Sequence, residues 1–214
     1  GAPDGEGGNV GLAASGVTLA FVNIPGKVNE GLKLQKLGAY KDATPTNPKA
    51  DYIFFTNDEP QKIGYTLKNE GNVVEAPSGT ITVKNVFFGQ QYDITNVNPT
   101  SSLALIGQTR TFTACIKLRE DTIKLQGTPS QTKTCTNAGL WPGLYNVNLD
   151  MYYGQNGNIT QEIHGTSTFW FLPLWFIILV LVLLIILALV IWRLTVIVRR
   201  KLGKGNYKKS SRRK

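Results

Sequence analysis

The stretch from Phe169 to Trp192, FWFLPLWFIILVLVLLIILALVIW, restricts what this chain can become more than any other. Its 24 residues include no charged side chain, no amide, no hydroxyl and no glycine. Roughly 20 such residues cross a hydrocarbon core about 30 Å thick, and in lipid the backbone polar groups must be satisfied within the segment. A transmembrane helix is therefore expected in preference to the core helix of a soluble protein. Pro173 suits its first turn, where the missing N–H is not needed. The 19 residues from Leu174 to Trp192, at ~1.5 Å each, come close to one bilayer core. Trp170 and Trp175 at one end and Trp192 at the other are expected as membrane-interface anchors. The segment has no ionisable residue of the kind that marks a transport path, and only Ala188 is small. Neither a pore nor a small-residue helix-dimer face is expected.

The residues that follow set the orientation. Arg193, Arg199, Arg200, Lys201, Lys204, Lys208, Lys209, Arg212, Arg213 and Lys214 are basic, and no acidic residue interrupts them. The whole chain has 23 basic and 14 acidic residues; without these ten, 13 stand against 14. The formal charge of +9 thus belongs to a short tail. Positive flanks stay in the cytoplasm, so the expectation is a single-pass plasma-membrane protein with the N-terminal part outside and the C-terminus inside. Arg193 can snorkel to the inner headgroups, with Arg199, Arg200 and Lys201 as further anchors there. A tail this basic also fits RNA. A basic segment just inside a membrane is, however, what stop-transfer and anionic inner-leaflet lipid require. The bilayer is the expected partner, and no specific nucleic acid is. Phosphorylation of Ser210 and Ser211 would weaken that lipid contact.

Ahead of the helix the pattern is β. Gly1-Ala2-Pro3 opens without a methionine or a signal segment, which leads us to expect a mature product or a fragment. Residues 1–30 read as a flexible Gly- and Ala-rich lead-in, or as the end of an upstream domain, with a short strand-like run at Val17 to Val22 and a Pro25-Gly26 turn. Gly31 to Tyr40 reads as a strand and Lys41 to Asp51 as a loop. Further strands are expected at Tyr52 to Thr56, Ile63 to Leu67, Gly79 to Val86, Tyr92 to Val97, Arg110 to Lys117 and Leu144 to Tyr153. In the last, Tyr145, Val147, Leu149, Met151 and Tyr153 alternate with Asn146, Asn148, Asp150 and Tyr152, the period of a half-buried strand. An Asn156-Gly157 pair closes a hairpin onto Ile159 to Phe169. About seven short strands separated by turns predict an all-β, antiparallel immunoglobulin-like sandwich over 31–168. Residues 169–198 would be the transmembrane helix and 199–214 the basic cytoplasmic tail.

Cys115 and Cys135 are the only cysteines, and both lie in the part expected outside. An even count in an oxidising compartment predicts a disulfide. It would staple the excursion Leu118 to Thr134 to the outer side of the sheet. A metal-binding or reactive thiol pair is the alternative, and no clustered histidine supports it.

Enzyme chemistry is poorly represented. His164 is the single histidine, so any Ser-His or Cys-His pair would need it, yet it sits on the last strand close to the membrane. It is expected as a surface strand residue. No G-x-S-x-G, phosphate loop, H-E-x-x-H or calcium loop occurs. Asp58 and Glu59 would bind calcium if they met Asp150 or Asp51, but turn acids are more often solvated. Asn158-Ile159-Thr160 fits a glycosylation acceptor. No catalytic residue, metal or cofactor is expected, and the chain reads as a non-enzyme.

Three segments carry a resemblance: KNEGNVVEAPSGTITVKNVFFG (Lys68 to Gly89), PGLYNVNLDMYYG (Pro142 to Gly154) and TSTFWFLPLW (Thr166 to Trp175). They resemble bacterial membrane-anchored Ig-like surface proteins with a basic tail, similar to the WxL-interacting protein group of Gram-positive bacteria. The similarity runs from about Tyr52 to Arg200. It implies an exported cell-surface role with binding of peptidoglycan or of a surface protein. The chain has one sandwich where that group has two ectodomains, and the Cys115 to Cys135 excursion is additional; no binding residues are carried over. The leading expectation is a binding or adhesion module for a cell-wall component or another surface protein. Its candidate surfaces are the excursion around Lys124 to Lys133 and the Trp141-Pro142 loop, where Trp141 is equally suited to covering the core. The alternatives are an anchoring subunit of a larger envelope assembly, such as a secretion or appendage complex, and an accessory domain of an upstream enzyme.

Overall fold

A computed structural model of the chain describes residues 26–43, 49–125, 128–154 and 161–210, with side-chain surroundings set aside for 121–132 and 201–210. The lead-in over 1–16, the Val17 to Val22 run, Pro25, the Asn156-Gly157 pair, Asn158-Ile159-Thr160 and Ser211 lie outside the described residues. Strands make up 47% of the described residues, which are mostly β with one C-terminal apolar helix.

The strands are β1 (Leu32–Lys41), β2 (Asp51–Ile53), β3 (Phe55–Thr56), β4 (Lys62–Asn69), β5 (Ser78–Asn85), β6 (Gln91–Ile94), β7 (Thr109–Cys115), β8 (Leu118–Leu125), β9 (Thr128–Cys135), β10 (Gly143–Tyr153) and β11 (Gln161–Phe171), and the helix is α1 (Leu174–Ser210). They form a sheet in the order β2-β1-β4-β7, a second in the order β3-β11-β10-β5-β6, and a separate β8-β9 pair. Among the described residues every strand pairing is antiparallel except β3 with β11, where Phe55 and Thr56 run parallel to Trp170 and Phe171. That pair is a departure from the all-antiparallel expectation. It arises because Tyr52 to Thr56 is not one strand: Tyr52 and Ile53 pair with β1, and two residues later Phe55 has crossed to the other sheet. Leu32, Leu34 and Leu37 do not alternate strictly, and a bulge between Leu34 and Lys36 resets the phase.

Both sheets contribute to one core. Ile63, Tyr65 and Leu67 of β4 are fully buried, as are Ile81 and Val83 of β5 and Tyr145, Val147, Leu149 and Met151 of β10. Two aromatic pairs stack inside it: Tyr65 on Phe112 with centroids 5.2 Å apart, and Tyr145 on Phe169 at 5.1 Å. Where Leu34 of one sheet approaches β11 of the other, Gly165 leaves the space a Cβ would fill. Both core phenols are tied at the hydroxyl. Tyr65 donates to the Val97 carbonyl (3.1 Å) and Tyr145 to the Trp141 carbonyl (2.8 Å) and Gln90 Oε1 (3.0 Å). Burial pushes both phenols' pKa values up.

One buried group is badly matched to its surroundings. Glu75 is 1% exposed, and among the described residues neither carboxylate oxygen has a hydrogen-bond partner. Desolvation, followed by the charge of Glu30, raises its pKa; the Gly154 N–H lies against it and opposes the shift without closing a full hydrogen bond.

The helix begins at Leu174, not at Phe169. Phe169 to Phe171 complete β11 opposite Gly143 to Tyr145, with Phe169 and Phe171 buried in the core. An apolar run reads alike whether it ends a core strand or enters a membrane, and here Phe-Trp-Phe does the former. Pro173 is correspondingly the cap and not a first-turn residue. Its carbonyl accepts from the amides of Phe176 (2.9 Å) and Ile177 (3.2 Å). At the other end α1 runs through the basic tail to Ser210, 37 residues in all.

Candidate functional site

The described residues offer four places to look: the helix junction, the disulfide, the polar face around His164 and the Trp141 loop. At the junction, the Leu172 amide donates to the Thr56 carbonyl (2.9 Å), so β11 remains tied to β3 up to one residue before the buried Pro173. From there Leu174–Arg200 is the one helix among the described residues long and apolar enough to cross a membrane, and no part of it is buried against the rest of the protein. Trp175 and Trp192 project from it, 17 residues or ~26 Å apart along the axis. Arg193, Arg199 and Arg200 are exposed on its last turns, and Lys201 follows on the same helix. Trp170 stands apart from these anchors. It is a strand residue, half-buried, with its ring 6.1 Å from that of Phe87.

Cys115 and Cys135 form the disulfide, with Cα atoms 5.2 Å apart. Cys115 is the last residue of β7, opposite Lys62, and Cys135 is the last of β9, opposite Leu118. The Thr136 amide donates to the Lys117 carbonyl (3.0 Å) beside them. The bond therefore closes the neck of the β8–β9 hairpin, whose strands hydrogen-bond to each other and to neither large sheet. Glu120 and Lys133, register partners, add an exposed ion pair at 2.9 Å. Closing about 20 residues contributes roughly 3 kcal/mol in the chain-entropy picture.

His164 lies opposite Asp150 on the outer face of the five-stranded sheet. Its Nδ1 is 2.7 Å from Asp150 Oδ1 and its Nε2 is 3.2 Å from Glu162 Oε2. The hydrogen bond to Asp150, then that to Glu162, raises its pKa. With both ring nitrogens facing carboxylates, neither is left to take a proton from a nucleophile. The other acids are dispersed. Asp58 faces Lys41 (3.7 Å), Asp51 accepts from the Tyr52 amide (2.7 Å), and Glu59 Oε1 accepts from the amides of Gly139 (2.7 Å) and Leu140 (3.1 Å). A shallow cleft of about 280 Å³ beside them is lined in part by Lys41, Asp42, Asp58 and Lys62. Those four pair off as Lys41–Asp58 and Lys62–Asp42, which leaves little field for a charged ligand.

The Trp141 amide is held by Gln90 Oε1 (3.0 Å), while its ring is exposed and rests on Phe88, centroids 5.4 Å apart. Leu140 and Pro142 are buried instead, so the ring does not close the core. Phe87 and Phe88 are exposed beside it, Phe54 and Phe55 are exposed next to Trp170 at the same end of the sheet, and sequence reasoning passed over all four. Their signal was present as two Phe-Phe doublets at strand ends. No protein-family model, curated protein or solved structure matches this chain at a significant level.

Proposed function

We propose that the chain is a membrane-anchored, non-catalytic binding module, its β-rich body held on the outer face of a plasma membrane. The observation that carries this reading is a disulfide-closed hairpin on a body joined to an apolar helix by only Leu172 and Pro173. Disulfides persist in oxidising compartments and basic flanks stay cytoplasmic, so both ends of the chain favour the same orientation. An immunoglobulin-like sandwich is favoured for the body. The β11-β10-β5-β6 run next to β1-β4-β7 matches the layout of such sandwiches, and the Tyr145 hydroxyl returning to the Trp141 carbonyl resembles their tyrosine corner. The ligand class is a cell-wall component or another surface protein, in line with the resemblance to WxL-interacting proteins, and the free-standing hairpin is the surface offered to it.

Cosedimentation of the full chain in detergent with purified peptidoglycan sacculi tests the wall-binding form. The chain should sediment, and a variant with the hairpin shortened beyond its disulfide should sediment several-fold less. If neither sediments with any wall preparation, that form is wrong. The alternative, an anchoring subunit of an envelope assembly, is favoured by the length of α1. Its 37 residues make a rod of ~55 Å, about 25 Å more than a hydrocarbon core requires, and the surplus is basic. Crosslinking in native membranes that yields a single protomer removes this second reading.

A further inference from the structure

The end of the body that meets the helix is lined with exposed aromatic rings. Phe54 (65% exposed) and Phe55 flank Trp170 on one side, with the Trp170 amide donating to the Phe54 carbonyl at 2.7 Å. On the other side Trp170 faces Phe87, and Phe88 (57% exposed) faces Trp141. These residues come from the ends of β3, β11 and β5 and from the loop before β10, so the row spans three strand spacings, ~14 Å. The segments that build it, Tyr52 to Asn57, Asn85 to Gln91, Leu140 to Asn146 and Thr166 to Leu174, contain no charged residue. The exposure is built in. Buried Asn85 accepts from the amides of Phe87 (2.9 Å) and Phe88 (3.0 Å) through Oδ1, and Gly89 turns back with φ +69, so the Phe-Phe tip is held outward.

We propose that this aromatic row is a second membrane-binding site, seated in the outer headgroup region and fixing the body against the bilayer. The proposal rests on the reading of α1 as a membrane span. Lipid is the occupant the geometry favours, because only Leu172 and Pro173 separate Phe171 from Leu174. Three residue steps of extended chain reach ~10 Å at most, so Phe171, next in the chain to Trp170 of the row, lies no farther than that from the start of the helix. The interfacial layer on each side of the hydrocarbon is itself ~5–8 Å thick. Aromatic rings are the side chains enriched at that depth, and uncharged loops meet it without stripping water from ions. A patch of this kind on a soluble surface would mark a protein contact. Here the chain passes from Trp170 through Phe171, Leu172 and Pro173 into the apolar α1, whose first residues Leu174 and Trp175 are exposed.

Tryptophan quenching in the full chain, reconstituted into phosphatidylcholine vesicles, separates the possibilities. Two single-tryptophan proteins are compared, one keeping Trp141 and the other Trp175, with the remaining tryptophans replaced by phenylalanine. The quenchers are lipid brominated high on its acyl chains and aqueous iodide. Bromolipid should quench both proteins, and iodide should quench Trp141 only weakly. Replacing Phe54 and Phe87 with serine, neither in ring contact with Trp141, should raise iodide quenching of Trp141 several-fold and leave Trp175 unchanged. Trp175 quenched by lipid with Trp141 open to iodide overturns the second site and leaves the span standing. Trp141 shielded from both quenchers also overturns it, since a protein surface would then cover the row. Absence of bromolipid quenching at Trp175 overturns span and site together.

Discussion

Replacing Phe169 with alanine probes the boundary between body and membrane. The ring is 0% exposed, stacked on Tyr145, and sits opposite Tyr145 in the β10–β11 register. Truncating a buried phenylalanine to alanine costs about 3–5 kcal/mol in transfer and cavity terms, and loss of the stacked pair lies within that range because the measured values include it. A domain of this size has roughly 5–15 kcal/mol in total, so the variant should lose about a fifth or more of the body's stability. The assay is urea-dependent proteolysis of the full chain in nanodiscs, following cleavage of the body while α1 stays embedded. Leu174→Ala, five residues on and largely exposed, serves as the matched control and should move the midpoint by less than ~0.5 kcal/mol. If Phe169→Ala leaves the body as resistant as Leu174→Ala does, Phe169 is not a core residue and the helix starts earlier than Leu174.

Three further outcomes follow from individual groups. Glu75, with its folded pKa raised, contributes stability that is fully present below the ordinary carboxylate pKa and is lost as pH rises through its folded value. Unfolding midpoints of the wild type should therefore fall across that window, and Glu75→Gln should flatten the slope; an unchanged slope would remove Glu75 as its source. In the folded full chain neither Cys115 nor Cys135 should alkylate without reductant, and the double serine variant should lose about 3 kcal/mol of unfolding free energy; two reactive thiols would contradict the bridge. His164 should titrate above the ordinary value of about 6.5 in NMR, and Asp150→Asn with Glu162→Gln should return it there; a wild-type titration already at the ordinary value would show that the two carboxylates do not hold the ring.

What could be read from the sequence was the periodic part. Tyr145 to Tyr153 bury alternate residues as their pattern requires; in β4 Ile63, Tyr65 and Leu67 are buried as expected, but Gly64 and Thr66 between them are buried as well. The failures have physical causes. LREDTIKL and TPSQTKTC carry no clean alternation, and β8 and β9 pair with each other and with neither large sheet. Phe169 to Phe171 are apolar for the core, and nothing in their composition separates that from lipid. Tyr52 to Thr56 looks continuous because a strand that changes sheets at Phe54 keeps its β-rich composition. The His164–Asp150 contact depends on register, and the orphaned Glu75 on burial from several segments, neither of which a linear pattern carries. At the junction the Phe54-Phe55 and Phe87-Phe88 doublets were visible, but their common location emerged only once β3, β11, β10 and β5 were lined up.

In the proposed arrangement the β-rich body and the basic tail lie on opposite sides of the membrane. Protease added to intact cells expressing the chain with a C-terminal epitope tests this directly. The expected result is digestion of the body with a small tagged fragment, α1 and its basic tail, left protected. Loss of the tag with the body intact, or protection of both, would contradict it.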